Sequence, residues 1–372
     1  MTFSIELLPA GYGDSLVVEY GSTTDRHQLL IDAGPFHFWD GVQAELMRRT
    51  RDSYDLFVIT HVDEDHIGGA ISVLDDPNLK HRVDDIWFNG FVHCSEGGNV
   101  LGPVNGEQLT ERIVTGGFKW NKGFRWPPGA DRFGSDNVGG PVVVPSAGHL
   151  PAIDLPGGAR AVLLSPTGRK LAAMAKTWSK EVLKAHLVPG AGDGGHTRAP
   201  APHNRPRPPL PDRLDDDAVR TMAAHNHRDG SAANGSCIAF ILEYDDKRLL
   251  LGADAHASVL AAGLKRYAAE VDEKRVRLDL VKMAHHGSNA NISTAVVDLI
   301  DCDRWLISSN GDNYGHPDDS AIAKVINSTT RPVTFYCNYR SPRTQPWEVR
   351  GPAVGASFRF PDNDRNCLLV NV

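Results

Sequence analysis

A chain of 372 residues with 41% hydrophobic side chains is long enough to bury one large core or two smaller ones, which excludes a wholly disordered protein. Its formal net charge of -7 argues against a broadly basic nucleic-acid surface and leaves room only for a local basic groove. No apolar run is long enough to cross a bilayer, and Thr2-Phe3-Ser4-Ile5-Glu6-Leu7-Leu8 alternates like a strand instead of reading as a secretion signal, so a cytoplasmic protein with no membrane partner is expected. The cysteines Cys94, Cys237, Cys302, Cys337 and Cys367 are odd in number and scattered, and read as reduced thiols rather than a zinc ribbon.

Ile5 to Leu8, Leu16 to Glu19 and Gln28 to Ile31 read as successive strands, punctuated by Gly11-Tyr12-Gly13-Asp14 and Gly21-Ser22. A helix from about Gly41 to Arg49 precedes the apolar run Leu56 to Ile59, a buried strand. Its exit is His61-Val62-Asp63-Glu64-Asp65-His66, in which His61, Asp63, Asp65 and His66 are potential metal ligands. A strand ending at Thr60 delivers His61 and Asp63 from a tight loop, while Asp65 and His66 open a helix, so all four side chains turn toward one point. Two imidazoles and two carboxylates suit a borderline divalent ion such as zinc or manganese. Without an ion the same carboxylates crowd one another with little to neutralise them. The competing reading is a solvated acidic loop whose histidines cap the helix. Ligands at the carboxyl end of a strand are the usual arrangement in open α/β sheets.

From 95 to 230 the pattern becomes irregular and rich in glycine and proline, with only Ala161 to Leu164 and a helix near Leu171 to Leu187 clearly periodic. This reads as an insertion within a single domain spanning 1–372, and as the place for a protein partner. The run 189–217, with Pro200, Pro202, Pro206, Pro208, Pro209 and Pro211, reads as a loop. Arg205 and Arg207 in it are candidates for phosphate contact, against a solvated loop. Trp87, Phe88, Trp120 and Trp126, near Lys119, Lys122 and Arg125, are candidates to stack on single-stranded nucleic acid, against packing in the core.

Regularity returns with a hairpin, Ile238 to Tyr244 and Arg248 to Leu251, that runs into Gly252-Ala253-Asp254. A helix from about Ala257 to Val271 follows, then the strand Leu278 to Met283, ending in Ala284-His285-His286-Gly287-Ser288. The strand Arg304 to Ser308 ends in Asn310-Gly311-Asp312-Asn313-Tyr314-Gly315-His316-Pro317 before another helix. Asp254 reads either as a helix N-cap or as a carboxylate between two metal ions. His285 and His286 cannot both point the same way from an extended backbone, so one is expected to bind metal, with His285 favoured, and the other to donate to a substrate oxygen or support the site. His316, between glycine and proline, reads as a substrate contact or proton donor, or as a turn residue.

Asp32 in Leu30-Ile31-Asp32-Ala33-Gly34, the hexapeptide with Gly68-Gly69, Asp254 after a glycine, and the histidines before Gly287-Ser288 resemble the ordered motifs of the metallo-β-lactamase superfamily. More narrowly, the chain is similar to the hydrolase domain of ComEC-type competence proteins and their stand-alone relatives, through Asp63 in place of a second histidine, Gly11-Tyr12-Gly13-Asp14-Ser15, Asn234-Gly235-Ser236, the double histidine and Asn313-Tyr314-Gly315-His316-Pro317. The resemblance covers 1–90 and 230–340. It implies an α/β fold, an αββα sandwich of two mixed sheets flanked by helices, holding two divalent metal ions, zinc or manganese. It also implies that His61 and Asp63 hold one ion, that Asp65, His66 and His285 hold the other, and that Asp254 bridges them, with Asp32 as a supporting residue. The superfamily's usual histidine some twenty residues before the bridging aspartate is absent: that position falls at about Asn234, so the first ion is expected to be under-coordinated and loosely held, or supplied partly by Asn234, with His225 and His227 as alternative substitutes. The implied activity is hydrolysis by a water that the ions activate, with a phosphodiester or nucleic acid as the leading substrate. Asp65 would orient the nucleophile and His286 or His316 would steady developing charge. A small ester, lactone or thioester is the alternative substrate, and a non-catalytic partner module is the alternative outside enzymology.

Overall fold

The computed structural model describes residues 1–49, 53–94, 104–130, 135–184, 209–362 and 365–372. Arg205 and Arg207, with most of the proline-rich run, lie outside the described residues.

Strands β1 (Thr2–Leu7), β2 (Leu16–Gly21) and β3 (Arg26–Ile31) form an antiparallel meander, and β4 (Leu56–Val58), β5 (Asp85–Trp87) and β6 (Lys119–Trp120) continue the sheet in parallel. The second sheet repeats this plan. Its antiparallel part is β7 (Ala152–Asp154), β8 (Arg160–Ser165), β9 (Ala239–Tyr244) and β10 (Lys247–Leu251). Next along the chain come β11 (Val276–Arg277), β12 (Leu280–Lys282), β13 (Ile300–Asp301), β14 (Arg304–Ile307), β15 (Val333–Cys337) and β16 (Ala356–Arg359). Of these, β12, β14, β15 and β16 extend the second sheet in parallel from β10, while β11 and β13 pair beside it. β17 (Leu368–Asn371) returns to pair antiparallel with β1 at the edge of the first sheet. The architecture is thus the expected αββα sandwich of two mixed sheets flanked by helices.

Side-chain alternation explains the layering. Phe3, Ile5 and Leu7 of β1 and Leu29 and Ile31 of β3 join the core shared with the second sheet, where Trp87 meets Phe240 edge-on at 6.0 Å. Val17, Leu30 and Phe57 face the other way, against Val42 and Leu46 of the helix Trp39–Arg48 and Ile67, Ala70 and Ile71 of the helix Glu64–Asp75. Leu260, Leu264, Ile322 and Val325, from the helices Ala257–Glu270 and Asp319–Asn327, close the core around the second sheet.

Three strands within 95–230 belong to the sheets, so much of that stretch is structural rather than an irregular insertion. The longest, β8, contains the periodic run Ala161 to Leu164, while β6 and β7, two and three residues long, are too short to show a period between glycines and prolines. The aromatic cluster is also corrected: Trp87, Phe88 and Trp120 are buried in the two cores, and Trp126 stacks on His93 at 5.1 Å. Trp87, Phe88 and Trp120 are packing residues and are not available to stack on bases. All five cysteines are buried and free, and burial pushes the Cys94 and Cys302 thiols up to about 12. Among the described residues no helix is long and apolar enough to cross a membrane.

Phe240 is fully buried where the two sheets meet. Phe240→Ala should therefore cost about 3–5 kcal/mol, read as a lower denaturant midpoint without loss of the native circular dichroism spectrum.

Candidate metal centre

Five strand exits meet at one edge of the sandwich. β3 delivers Asp32, β4 delivers His61, β10 delivers Asp254, β12 delivers His285 and His286, and β14 delivers Ser308. Parallel pairing of β3 with β4, and of β10 with β12 and β14, brings these carboxyl ends to the same side. Between them lies the opening loop: Asp14 N donates to the Asp65 carbonyl at 3.2 Å and Ser308 Oγ to the Gly13 carbonyl at 3.1 Å. A Cβ on Gly13 would overlap the Asp65 carbonyl oxygen, so glycine is required for this approach.

Asp63 is the N-cap of the helix Glu64–Asp75, yet its side chain makes no capping hydrogen bond. Its carboxylate is instead 42% exposed, with Oδ2 3.6 Å from His61 Nε2. Asp254 is 1% exposed and caps nothing, since the N-cap of the following helix is His256. Its two oxygens are divided among four imidazoles. Oδ2 lies 3.4 Å from His285 Nε2 and 3.9 Å from His61 Nε2, and Oδ1 lies 3.4 Å from His66 Nε2 and 4.0 Å from His286 Nε2. His286 Nε2 is also 3.7 Å from Asp65 Oδ2.

Two nests result, one of His61, Asp63 and His285, the other of Asp65, His66 and His286, with Asp254 between them. The expected grouping of His285 with Asp65 and His66 is thus exchanged: His286 occupies that place, buried on all sides, and a substrate-facing role for it is not what the geometry supports. The reason is local. His285 (φ 50°) and His286 (φ 54°) are both left-handed, and the resulting turn sends successive rings to opposite oxygens of Asp254. Each such non-glycine residue costs about 1–3 kcal/mol and persists only where its surroundings hold it. Here His285 N donates to the Ala253 carbonyl at 2.8 Å.

Every imidazole is gripped from behind through Nδ1. His66 Nδ1 is 2.7 Å from Asp32 Oδ2, and Asp32 in turn accepts from Thr60 N and Oγ1, both at 2.8 Å. His61 Nδ1 is 3.0 Å from Thr60 Oγ1, His285 Nδ1 is 2.8 Å from Asn291 Oδ1, and His286 Nδ1 is 2.8 Å from the Ser308 carbonyl. Occupying Nδ1 in this way leaves the Nε2 lone pair turned inward.

The donors fit divalent cations. Nε2 of His61, His66 and His286, together with Oδ1 of Asp254 and Asn234, are buried without a hydrogen-bond partner. Each orphan costs about 1–3 kcal/mol unless a ligand satisfies it, and the mixed nitrogen and carboxylate set suits ions such as zinc or manganese. Asp14, His66, Asp254 and His286 present ligand atoms that all lie within 4.8 Å of one another.

Asn234 stands at the rear of His285, with Nδ2 donating to Asp229 Oδ2 at 2.7 Å. His225 and His227, weighed as substitutes for the absent histidine, are exposed. Asp229 from the same segment comes in instead, with Oδ2 3.7 Å from His285 Nδ1. Nothing in the sequence marks Asp229. His316 is buried beside the centre, its ring edge-on to His285 at 5.2 Å and its Nδ1 3.7 Å from Asp318 Oδ2. Tyr314 stacks on His316 at 6.3 Å. Burial, then the charges of Asp65, Asp63, Glu64 and Asp254, push its phenol up. The Asn-Tyr-Gly-His-Pro motif could have signalled Tyr314, and the Gly-Tyr-Gly-Asp-Ser motif could have signalled Asp14.

No family model and no curated protein matches the chain. Among solved structures it is similar to CmlA, a diiron beta-hydroxylase from Streptomyces venezuelae, with a TM-score of 0.37 and 11% identity over 100% of this chain and 54% of that one. It is also similar to a mutant of the CmlA beta-hydroxylase, with a TM-score of 0.38 and 12% identity over the same shares of the two chains. The chain therefore spans about half the length of these structures.

The ion-free cluster is held by charge. Burial opposes the charging of His286, but Asp14, Asp254 and Asp65 outweigh it and raise the imidazole to about 9; His66 and His285 are raised in the same way by their carboxylates. Burial likewise opposes ionisation of Asp254, and the imidazoles outweigh it, holding the carboxyl well below its ordinary range. Stability from the raised histidines is complete below their ordinary value of 6.5 and is lost as pH rises through about 9. Stability from the depressed aspartates is present above their ordinary value of 3.8 and is lost as pH falls below it. Chelator-treated protein should therefore show a Tm that declines from pH 6.5 to 9, and the decline should vanish once zinc or manganese holds the imidazoles neutral. A flat profile without metal would contradict this balance.

Proposed function

We propose that the chain is a dinuclear metal-dependent hydrolase acting on phosphodiesters. The observation that carries this reading is the division of one buried carboxylate, Asp254, between two nests, each holding two inward-facing imidazoles and a further carboxylate. His61, Asp63 and His285 would hold one ion, and Asp65, His66 and His286 the other, with Asn234 behind His285 as a support rather than a ligand. When bound, two such ions lower the pKa of water and clamp the attacking and leaving oxygens of an in-line displacement.

The protein's own groups supply orientation and proton handling. Asp65 would accept from the nucleophile and fix its line of approach: its carboxylate lies 3.7 Å from His286 Nε2, and its backbone carbonyl accepts from Asp14 N. His316, oriented by Asp318 and packed on His285, stands where it can donate a proton to the departing oxygen. Tyr12 and Tyr314, edge to face at 6.0 Å, wall the mouth on one side and keep bulk water from it. Support for a phosphodiester comes from the paired-ion arrangement and from the motifs shared with ComEC-type hydrolases, Asp63 foremost. Because the expected stacking aromatics are in the core, recognition would rest on the scissile phosphate and its neighbours more than on bases.

The test is turnover of bis-p-nitrophenyl phosphate, an oligonucleotide, a plasmid and a lactone by the zinc- and manganese-loaded protein. Phosphodiester cleavage is expected, falling at least ~10²-fold in Asp65→Ala and in His66→Ala while both variants stay folded. Lactone turnover with no phosphodiester turnover would replace this reading with carbonyl hydrolysis.

A further inference from the structure

A buried ammonium stands behind the centre. Lys282, the last residue of β12, is 1% exposed, and its Nζ donates to Asp14 Oδ2 at 2.7 Å and to the Met283 carbonyl at 3.2 Å. Asp14 is also 1% exposed, and its other oxygen, Oδ1, lies 3.3 Å from His286 Nδ1. That ring N–H is directed at the Ser308 carbonyl, so Asp14 Oδ1 is left near the imidazole without a hydrogen bond of its own. The carboxylates behind the other rings are differently served. Asp32 is hydrogen-bonded by the N–H and hydroxyl of Thr60, and Asp229 by Ser231 N and the amides of Asn234 and Asn291, none of which is a fixed cation. Asp14 instead faces a full positive charge.

Two places are open to Asp14. It can back His286, or it can turn toward the ions, since its ligand atom lies within 4.8 Å of those of His66, Asp254 and His286. The second would add another negative charge to a nest that already has Asp65 and Asp254. We infer that Lys282 is a positioning residue that confines Asp14 to the rear of His286, and so sets how tightly the nest of Asp65, His66 and His286 binds its ion without itself touching it. The argument is one of geometry and rigidity. β12 is paired in parallel on both sides, to β10 and β14, so the backbone that carries the ammonium is fixed, and the Met283 carbonyl is a second acceptor that holds Nζ in place. An ammonium is a compact point charge, and away from water its pull on Asp14 Oδ2 is much stronger than that of a neutral donor. Outer partners of metal-bound imidazoles commonly change ion affinity by about 10–100-fold when removed.

The inference rests on the dinuclear reading, and the experiment separates the two. Wild type, Lys282→Met and the double variant Lys282→Met/Asp14→Leu are titrated with zinc and with manganese by calorimetry, and the Tm of each metal-free protein is measured. In Lys282→Met the metal-free Tm falls, because Asp14 becomes a buried charge without compensation, and ion addition recovers more of it than in wild type as the freed carboxylate turns to the ions. In the double variant the charged pair leaves together, so the metal-free Tm returns toward wild type. Its first ion binds as before, and its second ion binds about 10–100-fold more weakly. Wild-type affinity for the second ion in the double variant would overturn the inference, and this comparison decides even if Lys282→Met alone fails to fold. Failure of the wild type to take up a second ion would contradict the dinuclear reading itself.

Discussion

The carboxylate of Asp254, out of contact with water and with an imidazole nitrogen on each of four sides, is the constraint around which the rest of the molecule is arranged. A lone buried carboxylate would be expensive. This one is balanced by rings delivered from both sheets, His61 and His66 from the first and His285 and His286 from the second. Neither sheet contains a complete nest, because each nest takes one imidazole from each half. The sandwich therefore does more than bury apolar area, since it must hold two strand edges in register to within the reach of a side chain.

That demand accounts for four of the places where a non-glycine backbone turns left-handed. Asp32, Ala253, His285 and His286 are all left-handed non-glycine residues, and each lies at a strand exit that feeds the centre. Straight exits would carry Asp32 away from His66 and would separate His285 from His286 across the strand. The strain is held by the surrounding hydrogen bonds, among them those of Asp32 to Thr60 and of Asn291 to the Asp254 and Ala255 carbonyls. Behind the rings lies a ring of polar partners, Asp32, Asp14, Asp229, Asn291 and Thr60. They leave each Nε2 directed at the middle and make the convergence a property of the folded chain.

Much of this was legible in the sequence, for physical reasons. The early strands, the helix after His66 and the parallel β10, β12 and β14 alternate or run apolar long enough to be read, and polar residues clustered at their ends mark the edge where the site forms. The hexapeptide, Asp254 and the double histidine could be picked out because few other tasks need such residues together. What stayed hidden depends on backbone direction or on contacts distant in sequence. The partition of His285 and His286 follows from a left-handed turn that no residue type announces. Asp229 and Lys282 each look like ordinary polar residues until tertiary folding sets them behind a ring. The two shortest strands within 95–230, β6 and β7, were lost among glycines and prolines, and Trp87, Phe88 and Trp120 revealed only their bulk, which the cores absorb.

The central claim is that Asp254 is shared between two cations, and metal stoichiometry tests it most directly. Wild type and Asp254→Ala, both confirmed folded, are equilibrated with zinc or manganese, freed of loose ions and analysed for metal per chain by elemental mass spectrometry. Two ions per wild-type chain are predicted, with the pair lost in Asp254→Ala. A folded wild type that retains no ion, or an Asp254→Ala variant that still holds two, would contradict it.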